Sequence, residues 1–254
     1  METPDANAEL APGSRDGWEH LAAHTEARIA LGRAGGSLRT SSLLEFNVAH
    51  ARARDAVHAT FEVDKLVGVL AASGVATEVL STAAPDRATY LVRPELGRRL
   101  SEASAARLRN LGSSMGPRDL AVIVSDGLSA TAAGNHAAQT VIELSGLLSA
   151  QGWTLYPIFV IPFARVKLQD EVGSLLGASH SLILLGERPG LSAHDSLGAY
   201  LTFAPRADRT DADRNCVSNI RGGGLAPPQA AAKLSRMLIE SRRLGLSGTG
   251  LRDE

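Results

Sequence analysis

Residues 181–196 read SLILLGERPGLSAHDS, and they place a carboxylate where packing alone has little use for one. Ser181 to Leu185 have the character of a buried strand, and the chain leaves it through Gly186-Glu187-Arg188-Pro189-Gly190. A glycine before Glu187 and a proline after it hold the carboxylate at the strand mouth. There it can cap loop N–H groups or pair with a rim arginine, or it can accept hydrogen bonds from amide or hydroxyl donors of a ligand. Cys216, in ADRNCVSNIRGGG, is equally open. A single cysteine is commonly a small buried apolar group, yet this one stands among polar residues before a glycine triplet, on a segment expected to be a loop. No His or Asp in its sequence context marks it as a nucleophile.

Other chemistries lack their parts. GLSGTG near the C-terminus follows a helical pattern, where a nucleotide loop should follow a strand, and no Walker loop occurs. His194-Asp195-Ser196 has triad residue types, but adjacent residues cannot relay protons through one another. His50, Arg54 and His58 share a helical face at i, i+4, i+8, and the guanidinium between the histidines repels a metal ion. That face reads as an ordinary polar surface or a docking surface for a partner subunit.

The bulk numbers narrow the class. Lys and Arg number 26 against 27 acidic residues, so no long-range field draws in nucleic acid or an anionic membrane. No apolar run approaches the ~18 residues of a transmembrane helix, and the N-terminus lacks the layout of a secretory signal. One cysteine rules out an intrachain disulfide and multi-cysteine metal sites. These features predict a soluble intracellular protein whose core is mainly aliphatic.

The elements that position these residues follow from periodicity. Residues 1–17, rich in Ala, Pro, Gly and acidic residues, read as a mobile leader. Residues 18–115 read as a mainly helical N-terminal segment suited to partner docking. Its helices are expected from about His20 to Gly32, from a Ser42/Glu45 capping box to about His58, over Val63–Ser73 and from about Glu95 to Leu111. Residues 116–254 read as an α/β domain with a mostly parallel, Rossmann-like sheet. DLAVIVSDG, WTLYPIFVIPFA, SLILLG and YLTFAP are its strands; Ser129–Ala150, Lys167–Leu176 and Pro227–Leu244 are its helices. In such a sheet the ligand sits outside the carboxyl ends of the strands. That gathers Ser125-Asp126-Gly127, Arg165-Val166-Lys167, Glu187-Arg188-Pro189 and Arg206 onward on one rim.

The runs LGRAGGSL, AHARARDAVH, RPELGRRLS, DLAVIVSDGLSA, GERPGLSAHDSLGAYLTFAPR, DADRNCVSNIR and RRLGLSG span residues 31 to 248. Together they resemble the small subunit of ethanolamine ammonia-lyase, GERPGL and RNCVSNI being the distinctive blocks. Arg39 and Asn47 depart from the family's usual Pro and Gln, away from those blocks. The resemblance implies a subunit of an adenosylcobalamin-dependent lyase that converts ethanolamine to acetaldehyde and ammonia. It implies as partner a large TIM-barrel subunit that carries the substrate site, and homo-association through the assembled heterodimers. The small subunit is then expected to close over the shared cobalamin, with Val166, Glu187 and Cys216 as its cofactor contacts and no catalytic residue of its own. The D-x-H-x-x-G motif of cobalamin proteins that replace the lower base is absent, which fits base-on binding. The resemblance also implies residence in a bacterial microcompartment where the host has one, otherwise in the cytoplasm, and a possible contact of the leader with the shell.

Overall fold

A computed structural model describes residues 17–25 and 27–252, so all but the last residue of the expected leader lies outside the described residues. The first described element is a 3₁₀ turn, Glu19–His24. The helix expected to reach Gly32 stops there: the turn buries no residue, and Ala30 and Gly32 adopt left-handed backbone. A short helix without an apolar face to bury has nothing to offset its nucleation cost. A two-stranded hairpin follows, β1 (Arg33–Ala34) and β2 (Ser37–Leu38), turned by Gly35-Gly36. It hands the chain through extended Arg39 into α1 (Thr40–His58), so the helix starts ahead of the expected cap. Ser42 is buried inside it, and no side chain caps its N-terminus.

Beyond α1 come α2 (Val63–Ala72), β3 (Thr77–Val79), α3 (Arg87–Val92) and α4 (Glu102–Met115). The expected helix start at Glu95 is overturned by two local devices. Ser101 accepts the Ser104 N–H as an N-cap at 3.2 Å. Ahead of it, Leu96–Arg98 is a 3₁₀ turn packed against α3 and the 163–165 loop. A Cβ on Gly97 would stand 2.6 Å from the Phe163 carbonyl and 2.9 Å from the Tyr90 ring, so only glycine allows that approach.

The remaining elements are β4 (Leu120–Ser125), the helix α5 (Ala130–Ala132) that runs through a π turn (Ala133–Ala137) into α6 (Ala138–Ala150), β5 (Ile158–Val160), α7 (Leu168–Leu176), β6 (His180–Gly186), β7 (Leu197–Phe203), β8 (Arg214–Ile220) and α8 (Pro227–Leu244). They form the expected mostly parallel α/β sheet, in the order β3-β5-β4-β6-β7-β8. The first four strands are parallel, and β7 and β8 are antiparallel additions. β3, from ahead of residue 116, pairs with β5. β4 and β6 are buried along their whole lengths, as strands covered on both faces must be. On one face Val122, Val124, Leu182 and Leu184 pack with α2, α6 and α8; on the other Ile123, Phe159 and Ile183 pack with α4 and α7.

The reversal at β7 changes how the expected rim is built. Because β7 runs against β6, with Leu197 opposite Gly186 and Phe203 opposite His180, the chain after Phe203 leaves at the other edge of the sheet. Ser125-Asp126, Arg165-Val166-Lys167 and Glu187 share the carboxyl edge directly, and the chain from Arg206 returns to the Val166 side of it only by a detour. That segment doubles back along α7, where the Lys167 ammonium bonds the Ala207 and Arg209 carbonyls.

His180, fully buried at the start of β6, lies between the Trp153 and Phe203 rings at 5.2 and 5.1 Å. Ser241 Oγ donates to the Leu246 carbonyl, so the 3.1 Å contact from His180 requires an Nε2–H donor, and Nδ1 is buried with no partner among the described residues. Burial lowers its pKa from 6.5 to about 4; Asp119 opposes that shift and Arg242 reinforces it. Below pH 6.5 the unfolded chain takes a proton that the folded chain refuses, so stability falls as pH drops from 6.5 towards 4. We expect this group to contribute about 3 kcal/mol to that fall. Urea titrations at pH 7 and pH 4.5 check it: His180→Leu should flatten the dependence, and an equal fall in both proteins would refute the assignment.

Candidate functional site

Glu187 leaves the mouth of β6 and folds back over β7. Its Oε2 is fixed by the Ser196 hydroxyl and, at 3.4 Å, by the Asn219 N–H. Among the described residues no donor reaches Oε1, and no arginine pairs with the carboxylate. Room for the side chain comes from Gly198, where a Cβ would stand 2.9 Å from Oε1 and 3.2 Å from the Tyr200 ring. The Asn219 N–H is aimed by an irregularity in the β7–β8 pairing between Leu197 and Ala199, and by the left-handed backbone of Asn219. The hairpin beyond Glu187 is held at its far side. Ser129 Oγ donates to the His194 carbonyl at 2.9 Å, and His136 contacts Asp195 at 3.2 Å.

The period-2 alternation of β7 sorts its residues. Leu197, Ala199 and Leu201 face the core under α6 and α8, which leaves Gly198, Tyr200 and Thr202 on the other side. Tyr200 is paired in register with Cys216 on β8, so both occupy that face. Cys216 therefore stands on the sheet's edge strand, not on a loop as expected, and it is exposed. Desolvation against its neighbours still raises its thiol above the ordinary range; the Tyr200 hydroxyl opposes that shift and the Glu187 carboxylate adds to it. At neutral pH this sulfur is a thiol, polarisable and uncharged, not a nucleophilic thiolate. Burial, then Cys216 and Glu187, hold the Tyr200 phenol far above its usual range, so it too is neutral.

Val166 completes the arrangement. It lies with Tyr200, Cys216 and Arg214 around a cavity of about 1310 Å³ bounded by the start of α7, the 207–211 segment and the Pro94–Arg99 turn. One wall is fastened by a buried ion pair. Arg214 grips Asp170 with two bonds of 2.7 and 2.8 Å, and Lys167 adds a third contact at 2.9 Å. Val166 and Cys216 thus meet on one cavity, and Glu187 joins them through Tyr200. Sequence reasoning missed Tyr200, Gly198 and Arg214. The alternation in LGAYLTF was the available signal for the first two.

The remaining candidates resolve as structure. His194, Asp195 and Ser196 go to three separate partners and form no triad. Asp126 on the SDG turn is buried and accepts from Arg87 at 2.7 Å and from the Phe163 N–H at 2.7 Å. Gly248 of GLSGTG exchanges bonds with the Asn215 side chain. His50, Arg54 and His58 are exposed on α1, beside exposed Leu43, Leu44, Phe46 and Val48. Among the described residues no cluster could hold a metal ion, and no helix is long and apolar enough to cross a membrane.

Comparison with known proteins agrees in one direction. The family model for the ethanolamine ammonia-lyase light chain (EutC) matches residues 15–252. The chain is 52% identical over 241 residues to an ethanolamine ammonia-lyase small subunit of Xanthomonas campestris pv. campestris, covering 94% of this chain and 89% of that one. It is 50% identical over 248 residues to one from Azotobacter vinelandii, covering 97% and 92%. A third, from Pseudomonas aeruginosa, is 48% identical over 252 residues, covering 99% and 90%. The chain belongs to the ethanolamine ammonia-lyase light-chain family.

Proposed function

We propose that the chain is the small subunit of an adenosylcobalamin-dependent ethanolamine ammonia-lyase, and that the open face of β7 and β8 closes over a cobalamin held against a large catalytic subunit. The observation that carries this reading is the state of Glu187. One oxygen is pinned, the other has no donor among the described residues, and the carboxylate lies over Gly198 on the face that bears Tyr200 and Cys216. The residues fit such a group. A corrin is broad and rimmed with carboxamides, so it needs an ionised acceptor at its edge and flat, uncharged contact beside it. Bound cobalamin supplies a radical through homolysis of its cobalt–carbon bond.

The tasks left to this chain are orientation and shelter. Glu187 Oε1 accepts from a peripheral amide and fixes the rotation of the macrocycle. Tyr200, Val166 and Cys216 give it a surface that offers no charge and no competing base. The partner reading draws on the relatives' small-subunit names, and the apolar and basic surface of α1 offers a docking arm. Residence in a microcompartment belongs to the same proposal, for hosts that have one.

The test is co-expression with a candidate large subunit. The complex with adenosylcobalamin should produce acetaldehyde from ethanolamine, and activity from this chain alone would overturn the proposal. In that complex Glu187→Ala should weaken cobalamin binding by about 1.5–3 kcal/mol. Unchanged affinity with a lower melting temperature would mean that the carboxylate serves only the Ser196 and Asn219 contacts.

A further inference from the structure

The cavity beside Val166 and Cys216 is electrostatically uneven. At one end every cation has a partner: Lys167 and Arg214 share Asp170, and Arg209 reaches Asp213 at 3.3 Å. At the other end three guanidinium groups, Arg98, Arg99 and Arg165, line the cavity. Among the described residues no carboxylate lies within ion-pairing distance of any of them. Two carboxylates of the lining, Glu95 and Glu171, are held by other donors, and Glu95 also feels the Arg98 charge. Glu95 binds Arg93 at 2.8 Å, and Glu171 accepts the Leu100 N–H at 2.9 Å.

This corner is rigid as well as cationic. The Arg165 N–H donates to the Gly97 carbonyl at 2.8 Å, and the Ala83 N–H donates to the Arg99 carbonyl at 2.9 Å. The Arg165 guanidinium lies 4.2 Å from the Tyr90 ring centroid and donates to the Tyr90 carbonyl at 3.4 Å, which orients it, and its Nε is buried with no hydrogen-bond partner among the described residues. Like charges held on one fixed turn raise each other's energy until an anion joins them. A guanidinium fork matches the paired oxygens of a phosphate better than any other common anion except a carboxylate.

We infer that Arg98, Arg99 and Arg165 form an anion subsite that receives the phosphodiester of the cofactor's nucleotide loop. The inference rests on the cofactor reading above. It follows from that molecule's chemistry, because the phosphodiester is the one anionic group on a periphery otherwise made of neutral amides. Glu187 then reads the amide edge, the arginine corner reads the phosphodiester, and the two together fix which way round the cofactor lies.

The experiment compares cyanocobalamin with cobinamide, which has the same corrin and side amides but lacks the phosphodiester and base. Binding of each to the co-expressed complex is followed by equilibrium dialysis. The variant is Arg98→Gln/Arg99→Gln, chosen because both side chains are exposed and bond no side chain among the described residues. It should bind cyanocobalamin about ten- to a hundredfold more weakly, the span of one or two lost charged hydrogen bonds. Its cobinamide affinity should stay within about twofold of wild type, and Arg98→Lys/Arg99→Lys should recover part of the loss. Equal losses on both corrinoids, or no loss on either, would overturn the subsite while wild type still binds both. Failure of the variant to assemble with the large subunit would also overturn it, by assigning the arginines to a partner carboxylate. A wild-type complex that binds neither corrinoid overturns the cofactor reading and the subsite with it.

Discussion

Arg214→Ala should destabilise the chain by about 3–5 kcal/mol, read as a fall in the urea midpoint at pH 7. The cause is what the substitution leaves behind. The Asp170 side chain is 1% exposed and that of Arg214 is 3%, so water reaches neither group. Two parallel bonds of 2.7 and 2.8 Å now satisfy the carboxylate, and Arg214 also donates to Thr202 at 3.2 Å. Without the guanidinium, Asp170 keeps only Lys167, whose side chain is 35% exposed. Arg214→Lys should recover part of the loss, since an ammonium restores charge without the fork. The double variant Arg214→Met/Asp170→Leu should be much less damaging than the sum of its parts, because it strands no charge. A loss below about 1 kcal/mol for Arg214→Ala would show that Lys167 or entering water compensates. This pair joins β8 to α7 beside the cavity, so the same variant should loosen the seat of Cys216.

Much of this architecture was legible because its strongest elements carry one period each. β4 and β6 are unbroken apolar runs, and they were found as buried strands with nearly their observed limits. α8 was found to the residue, since Pro227 opens it and Gly245, left-handed, closes it. Elements held by tertiary contact were not legible. β3 is three residues long with no buried side chain, and it becomes a strand only through β5. α3 is six residues long and depends on the Asp86 cap. β8 alternates too irregularly, Ser218 and Asn219 both being exposed between buried Val217 and Ile220 and its pairing shifted, for RNCVSNI to read as a strand. Strand direction was the other limit. Nothing in YLTFAP separates a parallel strand from an antiparallel one, and so the detour by which residues 207–211 regain the Val166 side was not legible. In the site, Glu187 was readable because glycine and proline bracket it. Tyr200 was hidden because an aromatic residue in an apolar strand looks like core.

Gly186→Ala should cost about 3 kcal/mol or more, because the added methyl group meets backbone and not side chain. A Cβ there would stand 2.1 Å from the Ser129 carbonyl oxygen and 2.6 Å from that of Asp126. Neither can retreat cheaply. Ser129 caps the helix that starts at Ala130 and bonds the 187–196 hairpin, and Asp126 is held by Arg87 and by the Phe163 N–H. The Gly186 carbonyl also accepts the Leu128 N–H at 2.8 Å, so a shift of β6 would break that bond. Gly190→Ala, four residues on, is the matched control. Its Cβ would meet nothing nearer than the Ala193 carbonyl at 3.8 Å, and it should stay within about 0.5 kcal/mol of wild type. Chemical denaturation of both variants measures the difference. Cobalamin binding to the folded fraction of each complex then asks whether Gly186 sets the aim of Glu187 as well as the packing of the sheet. If Gly186→Ala is as stable as Gly190→Ala, the close approach of β4 and β6 does not fix the Glu187 mouth. If it is unstable but binds cobalamin normally once folded, the glycine serves the fold alone. The geometry predicts loss on both counts, since the residue that must move carries Glu187 on its next bond.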